Sequence, residues 1–391
     1  MPTFEKFTGI NNVLPTERLP ESDLAVATDV DFGLSGEILR RAGYARTVAT
    51  DHRNVWDGSA YTLATCAGDL TSILPNGTRT VVSQSLGSDR VWYLALPDGR
   101  IAFSNGLITG IVSADGLSST GWGIPVPESI GALTPVAGAL FPGDYQYQIT
   151  YVRLSDGQEG GPQYSNPITV STGGILLTGL PVRAGYGINV YLTSHNGGDA
   201  HLAGFTTTAS FSYLGKNDGL VIPCRTDFVS PPPAGTVSAF WRGRALVAVG
   251  SMIIATRVHQ VERFDARSDF LQFPDAVTMI QPVDSGVYVG TKKSLFYLAG
   301  AEFEKLAITA TKPWPVVLGS GVAVPGELVK QGDGVGQGSA MICIADGFLV
   351  AGFNDGQLIR LTEGRYSTVV TEVSATFRTV NGIPQYLAVP R

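Results

Sequence analysis

The sequence has little charge, few cysteines and no long apolar run. Charged residues make up 15% of its 391 residues, and three residues are cysteine. Cys66, Cys224 and Cys343 lie far apart without paired spacing, so neither a zinc site nor a disulfide framework is indicated. We expect them to be buried thiols of a protein that folds in a reducing cytoplasm.

Segments for membrane insertion, export or nucleic-acid binding are equally scarce. The most apolar stretch, residues 245–256, is too short to cross a bilayer and predicts two strands around Gly250. Residues 1–6 lack the basic start and apolar run of a signal peptide, so we expect no export by that route. A formal net charge of −6 lacks the excess of lysine and arginine that clamps nucleic-acid phosphates. The sequence therefore predicts no membrane span and no tight hold on nucleic acid.

Turn chemistry is what the sequence has in abundance. Glycine occurs 48 times and proline 23 times. The turn Pro97-Asp98-Gly99, for example, separates the strand-like runs 90–96 and 100–104. Another hairpin is predicted around residues 31–36, where two glycines can take positive φ. With no helical period, these patterns predict an all-β protein built from antiparallel hairpins.

A weak internal repeat connects three of the predicted hairpins. In each copy an apolar run ends in a glycine and a second apolar run follows; the glycines are Gly250, Gly290 and Gly352. Periods of about 40 to 50 residues with about four strands each are typical of propeller blades. We predict a β-propeller of about six to seven blades. The C-terminal run 385–389 is expected to supply a strand to a blade begun by the N-terminal half, because such closure removes exposed edges.

Residues 127–235 break this rhythm. One long alternating strand is predicted over residues 141–152, and the segment has the size and strand pattern of a single β-sandwich. Prolines at both ends, including 231–233, indicate stiff linkers. We therefore predict an inserted fibronectin-III-like β-sandwich at 127–235 and a propeller formed by residues 1–126 and 236–391.

The sequence offers few groups for catalysis. His195 and His201 belong to a Gly-rich segment, where surface histidines are expected rather than a ligand or a base. The glycine-rich residues 332–338 imitate a phosphate-binding loop, but Gln337 replaces the third glycine and no strand-to-helix context follows. We predict no catalytic residue, no metal ligand and no cofactor site, and we do not expect an enzyme.

The densest charged segment lies near residue 265. Its carboxylates Glu262, Asp265 and Asp269 are the interaction candidates of the chain. The segment can be interpreted as a polar cluster at a site. A solvated loop between blades explains the same pattern as well. Asp57 and Asp69 are further carboxylates that a polysaccharide-cleaving propeller could use.

The first 46 residues carry a more specific pattern. They contain GINN at 9–12, LP at 14–15, ATDVD at 27–31 and GEILRRAGY at 36–44. This pattern resembles the opening of a family of bacteriophage tail proteins, whose members build β-propellers in the tails of short-tailed phages. The strand pair at residues 145–159 is also similar to one in the sandwich that family members carry.

The resemblance implies a structural role in the virion, after synthesis in the bacterial host cytoplasm. The chain would be a tail nozzle or hub subunit, with copies of itself forming a ring, expected to be a hexamer, around the DNA-ejection channel. Tail adaptor and portal-proximal proteins and tail fibres would be its neighbours. Genomic DNA would pass through without specific binding, and net acidity suits such a conduit because an acidic lumen repels phosphates.

Two other classes stay open. A tail-tip or receptor-binding protein of a long-tailed phage should show an exposed aromatic patch on the sandwich, with Tyr145, Tyr147, Tyr164 and Tyr186 as candidates. A polysaccharide-degrading propeller should show a carboxylate pair facing a central pocket.

Overall fold

The computed structural model describes residues 7–33, 36–41, 43, 45, 51–332, 334–380 and 382–391. Within these ranges it contains 39 strands, four short 3₁₀ turns and no α-helix, so the chain is all-β as predicted. The 3₁₀ turns are Thr16–Arg18, Asn217–Gly219, Phe303–Lys305 and Gly326–Leu328. No helix of the described ranges is long and apolar enough to cross a membrane. Ala42 and Tyr44 of the N-terminal pattern, and Asp333 of the glycine-rich segment, lie outside the described residues.

The N-terminal segment forms two small sheets. Strands β1 (Gly9–Ile10) and β2 (Asp23–Leu24) pair in parallel, and β3 (Val30–Phe32) pairs with β4 (Ile38–Arg40) antiparallel. The second pair confirms the hairpin predicted around residues 31–36.

The asparagines of the GINN pattern attach this segment to residues 365–367. The Nδ2 atom of Asn12 donates to the carbonyl of Ser367 at 2.8 Å, and the Ser367 amide donates to Oδ1 of Asn12 at 2.9 Å. Asn11 is buried and donates to the carboxylate of Asp23 at 3.0 Å, which also accepts from Arg365 at 3.0 Å. The pattern therefore ties the N-terminal strands to a loop far along the chain.

Two four-stranded antiparallel sheets follow. Sheet 1 consists of β5 (Arg53–Asp57), β6 (Thr62–Cys66), β7 (Asp69–Ile73) and β8 (Arg79–Ser83). Sheet 2 consists of β9 (Trp92–Ala95), β10 (Ile101–Ser104), β11 (Thr109–Val112) and β12 (Ser119–Gly121).

The next nine strands, called the insert here, form a separate group of sheets. They are β13 (Ala132–Ala137), β14 (Gly143–Tyr145), β15 (Tyr147–Arg153), β16 (Glu159–Tyr164), β17 (Ile168–Val170), β18 (Gly173–Thr178), β19 (Tyr186–Thr193), β20 (Ala200–Thr206) and β21 (Ser210–Tyr213). The sheets β13-β18-β21 and β16-β15-β19-β20 bury one common apolar core. The single strand predicted over 141–152 is wrong, because the chain changes sheets at Gln146: β14 pairs with β17, whereas β15 pairs with β16 and β19.

Three more four-stranded antiparallel sheets and a C-terminal hairpin complete the described chain. Sheet 3 contains β23 (Ser238–Trp241), β24 (Arg244–Val249), β25 (Met252–Ala255) and β27 (Phe270–Gln272), while the short strands β22 (Val229–Ser230) and β26 (Phe264–Asp265) pair beside it. Sheet 4 contains β28 (Val277–Val283), β29 (Gly286–Thr291), β30 (Leu295–Ala299) and β31 (Ala307–Lys312). Sheet 5 contains β32 (Val322–Pro325), β35 (Ser339–Ala345), β36 (Phe348–Gly352) and β37 (Leu358–Arg360), with β33 (Lys330–Gln331) and β34 (Gly334–Val335) in a loop. The hairpin consists of β38 (Val373–Val380) and β39 (Ile383–Pro390).

The three repeat copies are confirmed as hairpins, because they are β24–β25, β29–β30 and β36–β37. The first two hairpins are the second and third strands of sheets 3 and 4, whereas the last is the third and fourth strand of sheet 5. The prediction for residues 385–389 is wrong for the part of the chain that the structure describes. This run belongs to β39, whose strand partner is β38 and not a strand of the N-terminal half.

Successive sheets pack face to face through apolar cores. Separate cores join sheet 1 to sheet 2, sheet 2 to sheet 3, sheet 3 to sheet 4, and sheet 4 to sheet 5. A further core between sheet 5 and the C-terminal hairpin includes Phe377 and Tyr386. The first strands also contact one another in order: β9 with β23, β23 with β28, β28 with β32, and β32 with β38. The insert thus interrupts a series of stacked sheets between sheets 2 and 3.

Candidate functional site

The three acidic candidates lie in the connection between β25 and β27. Their exposed fractions are 5% for Glu262, 3% for Asp265 and 0% for Asp269. The interpretation as a solvated loop is therefore wrong for the three carboxylates, although residues 266–268 between them are exposed. Burial of three carboxylates is costly unless each is paired and hydrogen-bonded, so the site is defined by its partners.

Glu262 bridges three parts of the chain. Its Oε1 atom accepts from Nη1 of Arg100, just before β10, at 2.5 Å, and its Oε2 atom accepts from Nη1 of Arg153, at the end of β15, at 2.7 Å. Arg153 also binds Asp156 at 2.7 Å, and Arg100 binds Asp98 at 2.8 Å. The Glu262 carboxylate thereby connects sheet 2 and the sheet 3 loop to the insert.

Asp265 and Asp269 share the guanidinium of Arg257. Nη2 of Arg257 lies 2.8 Å from Oδ2 of Asp265, and its Nε lies 2.9 Å from Oδ2 of Asp269. Arg267 adds a second guanidinium to Asp265 at 2.8 Å, and Arg244 lies 3.6 Å from Asp269. The backbone amide of Asp265 also donates to Asp269 at 2.8 Å. These bonds fold the loop upon itself.

The electrostatics leave no proton for acid catalysis on Asp265. Hydrogen bonding by the Arg267 side chain, helped by the nearby charge of Arg257, lowers the pKa of Asp265 to about 2. In the insert, the hydrogen bond with Asp156 and the one with Glu262 raise the pKa of Arg153. Carboxylates held in this way stabilise structure, whereas a glycosidase acid needs a raised pKa.

A cavity of about 420 Å³ opens beside Glu262. Residues of sheet 2, of the insert and of sheet 3 line it, among them Arg100, Gln158 and His259. Its two carboxylates, Asp98 and Glu262, both bind Arg100. The cavity therefore holds no free carboxylate pair.

The other sequence candidates do not converge on a site. His195 is exposed and donates from Nε2 to the carbonyl of Pro142 at 2.8 Å, while Asp57 and Asp69 accept hydrogen bonds from Thr62 and from the Ser85 amide. No group of three potential metal ligands occurs in the described ranges. The glycine-rich segment contains β34, which pairs with the preceding strand β33, and in the described residues it does not lead into a helix.

The tyrosines and cysteines differ in part from expectation. Tyr145 and Tyr147 are core residues at 2% and 3% exposure, and Tyr164 is exposed, so the four tyrosines do not form one exposed patch. Cys343 is buried, which raises its pKa to about 12, whereas Cys66 and Cys224 are only partly buried.

The arginines that complete the site were missed by sequence reasoning. Arg100 and Arg153 are 162 and 109 residues away from Glu262. No spacing rule connects residues at such separations, because only the stacking of sheets and the placement of the insert bring them together. The nearest signals in the sequence were Arg257, which precedes the acidic residues, and Arg267, which lies between Asp265 and Asp269.

The fold and the site together define an all-β chain of stacked four-stranded sheets, whose insert is joined to them by the ion pairs of the buried Glu262. No protein-family model and no curated protein matches the chain. Among solved structures, the chain is similar to BamB from Moraxella catarrhalis with 11% identity and a TM-score of 0.35, covering 89% of this chain and 85% of that one. It is also similar to the WD40 β-propeller domain of Doa1, with 10% identity, a TM-score of 0.30 and coverage of 87% and 90%. At such scores these similarities carry no weight for function.

Proposed function

We propose that this chain is a structural subunit of a bacteriophage tail, a nozzle or hub protein that forms a ring around the DNA-ejection channel. In the proposed architecture sheets 1 to 5 and the C-terminal hairpin are the blades of a six-bladed β-propeller. The face-to-face cores and the ordered contacts of the first strands support this arrangement. The insert, with two sheets over one core, is proposed as a fibronectin-III-like sandwich.

The observation that carries the proposal is the pair of ion pairs that Glu262 forms with two arginines. A buried carboxylate bound by Arg100 from sheet 2 and Arg153 from the insert fixes the insert as a rigid arm. A ring subunit needs such an arm, because a heterologous interface closes into a ring only if the angle between its two patches is fixed. The N-terminal resemblance supplies the tail context, and the occupied carboxylates support a role without catalysis.

The test is the oligomeric state of the purified full-length protein. We expect native mass spectrometry and electron microscopy to show a closed ring, with a hexamer as the expected size, and the same ring on the tail axis of intact particles. A protein that stays monomeric at every concentration tested, or that occupies peripheral fibres in the particle, contradicts the proposal.

A further inference from the structure

The contact between the C-terminal hairpin and sheet 1 differs from the other sheet-to-sheet contacts. Five successive contacts contain an apolar core, but among the described residues this one contains a cavity of about 590 Å³. The cavity lies between the first strands β5 and β9 and the start of β38. We call it the seam cavity. Its volume falls within the usual range of ligand pockets, about 300 to 1,000 Å³.

Three arginines and three aromatic rings line the seam cavity, and none of its lining residues is acidic. They are Arg53, Arg90, Arg391, Trp56, Trp92 and Tyr93. Closely spaced cations of like charge are unfavourable unless carboxylates or a bound anion compensate them. The carboxylates of the protein near these arginines therefore determine how much positive charge is left for a ligand.

The carboxylates near the seam cavity compensate two of the three arginines. Arg90 binds Glu372 at 3.0 Å, and Arg53 binds Asp51 at 3.0 Å in an exposed pair that solvent screens. Arg391 donates to an amide oxygen, Oδ1 of Asn54, at 2.9 Å, which carries no charge. Among the described residues no acidic side chain forms an ion pair with Arg391, so the side chains around the seam cavity carry more positive than negative charge.

Arg90 is held in place before any ligand arrives. Its guanidinium lies 3.7 Å from the centre of the Trp92 ring and donates to the carbonyl of Val373 at 2.8 Å. Gly319 packs against it where a Cβ atom would collide. Burial lowers the pKa of Arg90, and the positive charge of Arg391 adds to this against the opposing effect of Glu372. A guanidinium fixed in this way loses little conformational freedom on binding an oxyanion.

We propose that the seam cavity binds a small molecule through an oxyanion group, a phosphate or a carboxylate. The planar forks of Arg53, Arg90 and Arg391 match the oxygen geometry of both groups. The bound anion would connect sheet 1 and sheet 2 to the C-terminal hairpin. This inference stands on the cavity alone and does not depend on the tail function.

The experiment uses the full-length protein with pyrophosphate and citrate as probes. Isothermal titration at constant ionic strength should show saturable binding of at least one probe, and the ligand should raise the melting temperature by mass action. The tighter probe identifies the group, phosphate or carboxylate. Amide hydrogen exchange should slow in residues 373–390 when the probe is bound, since the anion holds this hairpin.

Two variants and a matched control test the location. Arg391→Gln and Arg53→Gln each remove one cation and should weaken binding about tenfold, the loss expected for one charge-assisted contact. Arg79→Gln, on the outer strand β8 of the same sheet and outside the cavity lining, should bind as the unmodified protein does. Absence of binding by both probes, or equal weakening by Arg79→Gln, overturns the proposal.

Discussion

At the scale of single residues, two of the buried carboxylates, Glu262 and Asp23, lie where distant segments meet. Glu262 is bound by arginines of two other segments, and Asp23 is bound by Asn11 and Arg365. Leaving one partner of such a pair without the other costs more than the pair contributes when intact, because the remaining charge stays desolvated. These residues thus specify which segments come together.

Removing the charge of Glu262 should weaken the contact between the insert and sheets 2 and 3. We expect Glu262→Gln to lower the free energy of unfolding by about 2 kcal/mol, because Arg100 and Arg153 lose their shared counter-charge. Urea unfolding followed by fluorescence measures the change. Glu302→Gln is the matched control, since its ion pair with Lys305 is exposed and screened by solvent, so its loss should leave the free energy of unfolding almost unchanged. Equal effects of the two substitutions would contradict the role of Glu262.

The second prediction at this scale concerns acid stability. The folded pKa of Asp265, about 2, lies below its usual value of 3.8, so its contribution to stability is complete above the usual value and is lost as the pH falls through the folded value. We expect the protein to lose stability between about pH 4 and pH 2, and Asp265→Asn to flatten this part of the profile. Acid titration followed by circular dichroism measures it. The exposed Asp218, changed to Asn, should leave the profile as it was.

At the scale of elements, sequence patterns predicted hairpins well, but they predicted poorly which sheet a strand belongs to. Residues 90–96 and 100–104 form β9 and β10 around the expected turn, because alternation and Asp-Gly chemistry act locally. The switch of sheets at Gln146 was not predictable, since the run alternates without interruption and the break is set by a bond from the Gln146 amide to Thr193. The pairing of Glu262 with two arginines depends on tertiary placement in the same way.

Gly319 tests the contact between the C-terminal hairpin and its surroundings. Its φ is +77°, and an added Cβ atom would collide with Arg90 and with the carbonyl of Val373. We expect Gly319→Ala to destabilise the protein by about 3 kcal/mol, of which about 1 to 2 kcal/mol is backbone strain. Gly77→Ala is the control, because φ is +85° there and nothing lies within 4 Å of the added atom. If thermal unfolding shows the same loss for both, the collision is not the cause.

At the scale of the whole molecule, the charge balance determines whether the protein attracts or repels DNA. In the proposed ring, every copy would carry the formal net charge of −6. The seam cavity, at about 590 Å³, is far too small for a duplex, so its arginines do not change this balance. The proposed conduit of such subunits would repel phosphates and let the duplex slide.

The purified protein should therefore not retain double-stranded DNA. We expect the protein not to retard a DNA duplex in a gel-retardation assay at about 0.15 M salt. Lowering the salt concentration should not produce retardation either, because binding by counterion release needs clustered cations. Retention that falls steeply with rising salt would show a basic DNA-binding surface and contradict the conduit.

The contact of sheets 1 and 2 with the C-terminal hairpin joins segments that are synthesised at different times. Arg90 binds Glu372, a residue 282 positions later in the chain. At the usual 5 to 20 residues per second, a ribosome needs roughly a quarter of a minute to a minute to synthesise that interval. During this time the first two sheets emerge without their last neighbour, and the insert, whose sheets share a core of their own, can fold before sheets 3 to 5 exist. Until the C-terminal hairpin is synthesised, sheet 1 therefore lacks the neighbour that completes the seam cavity.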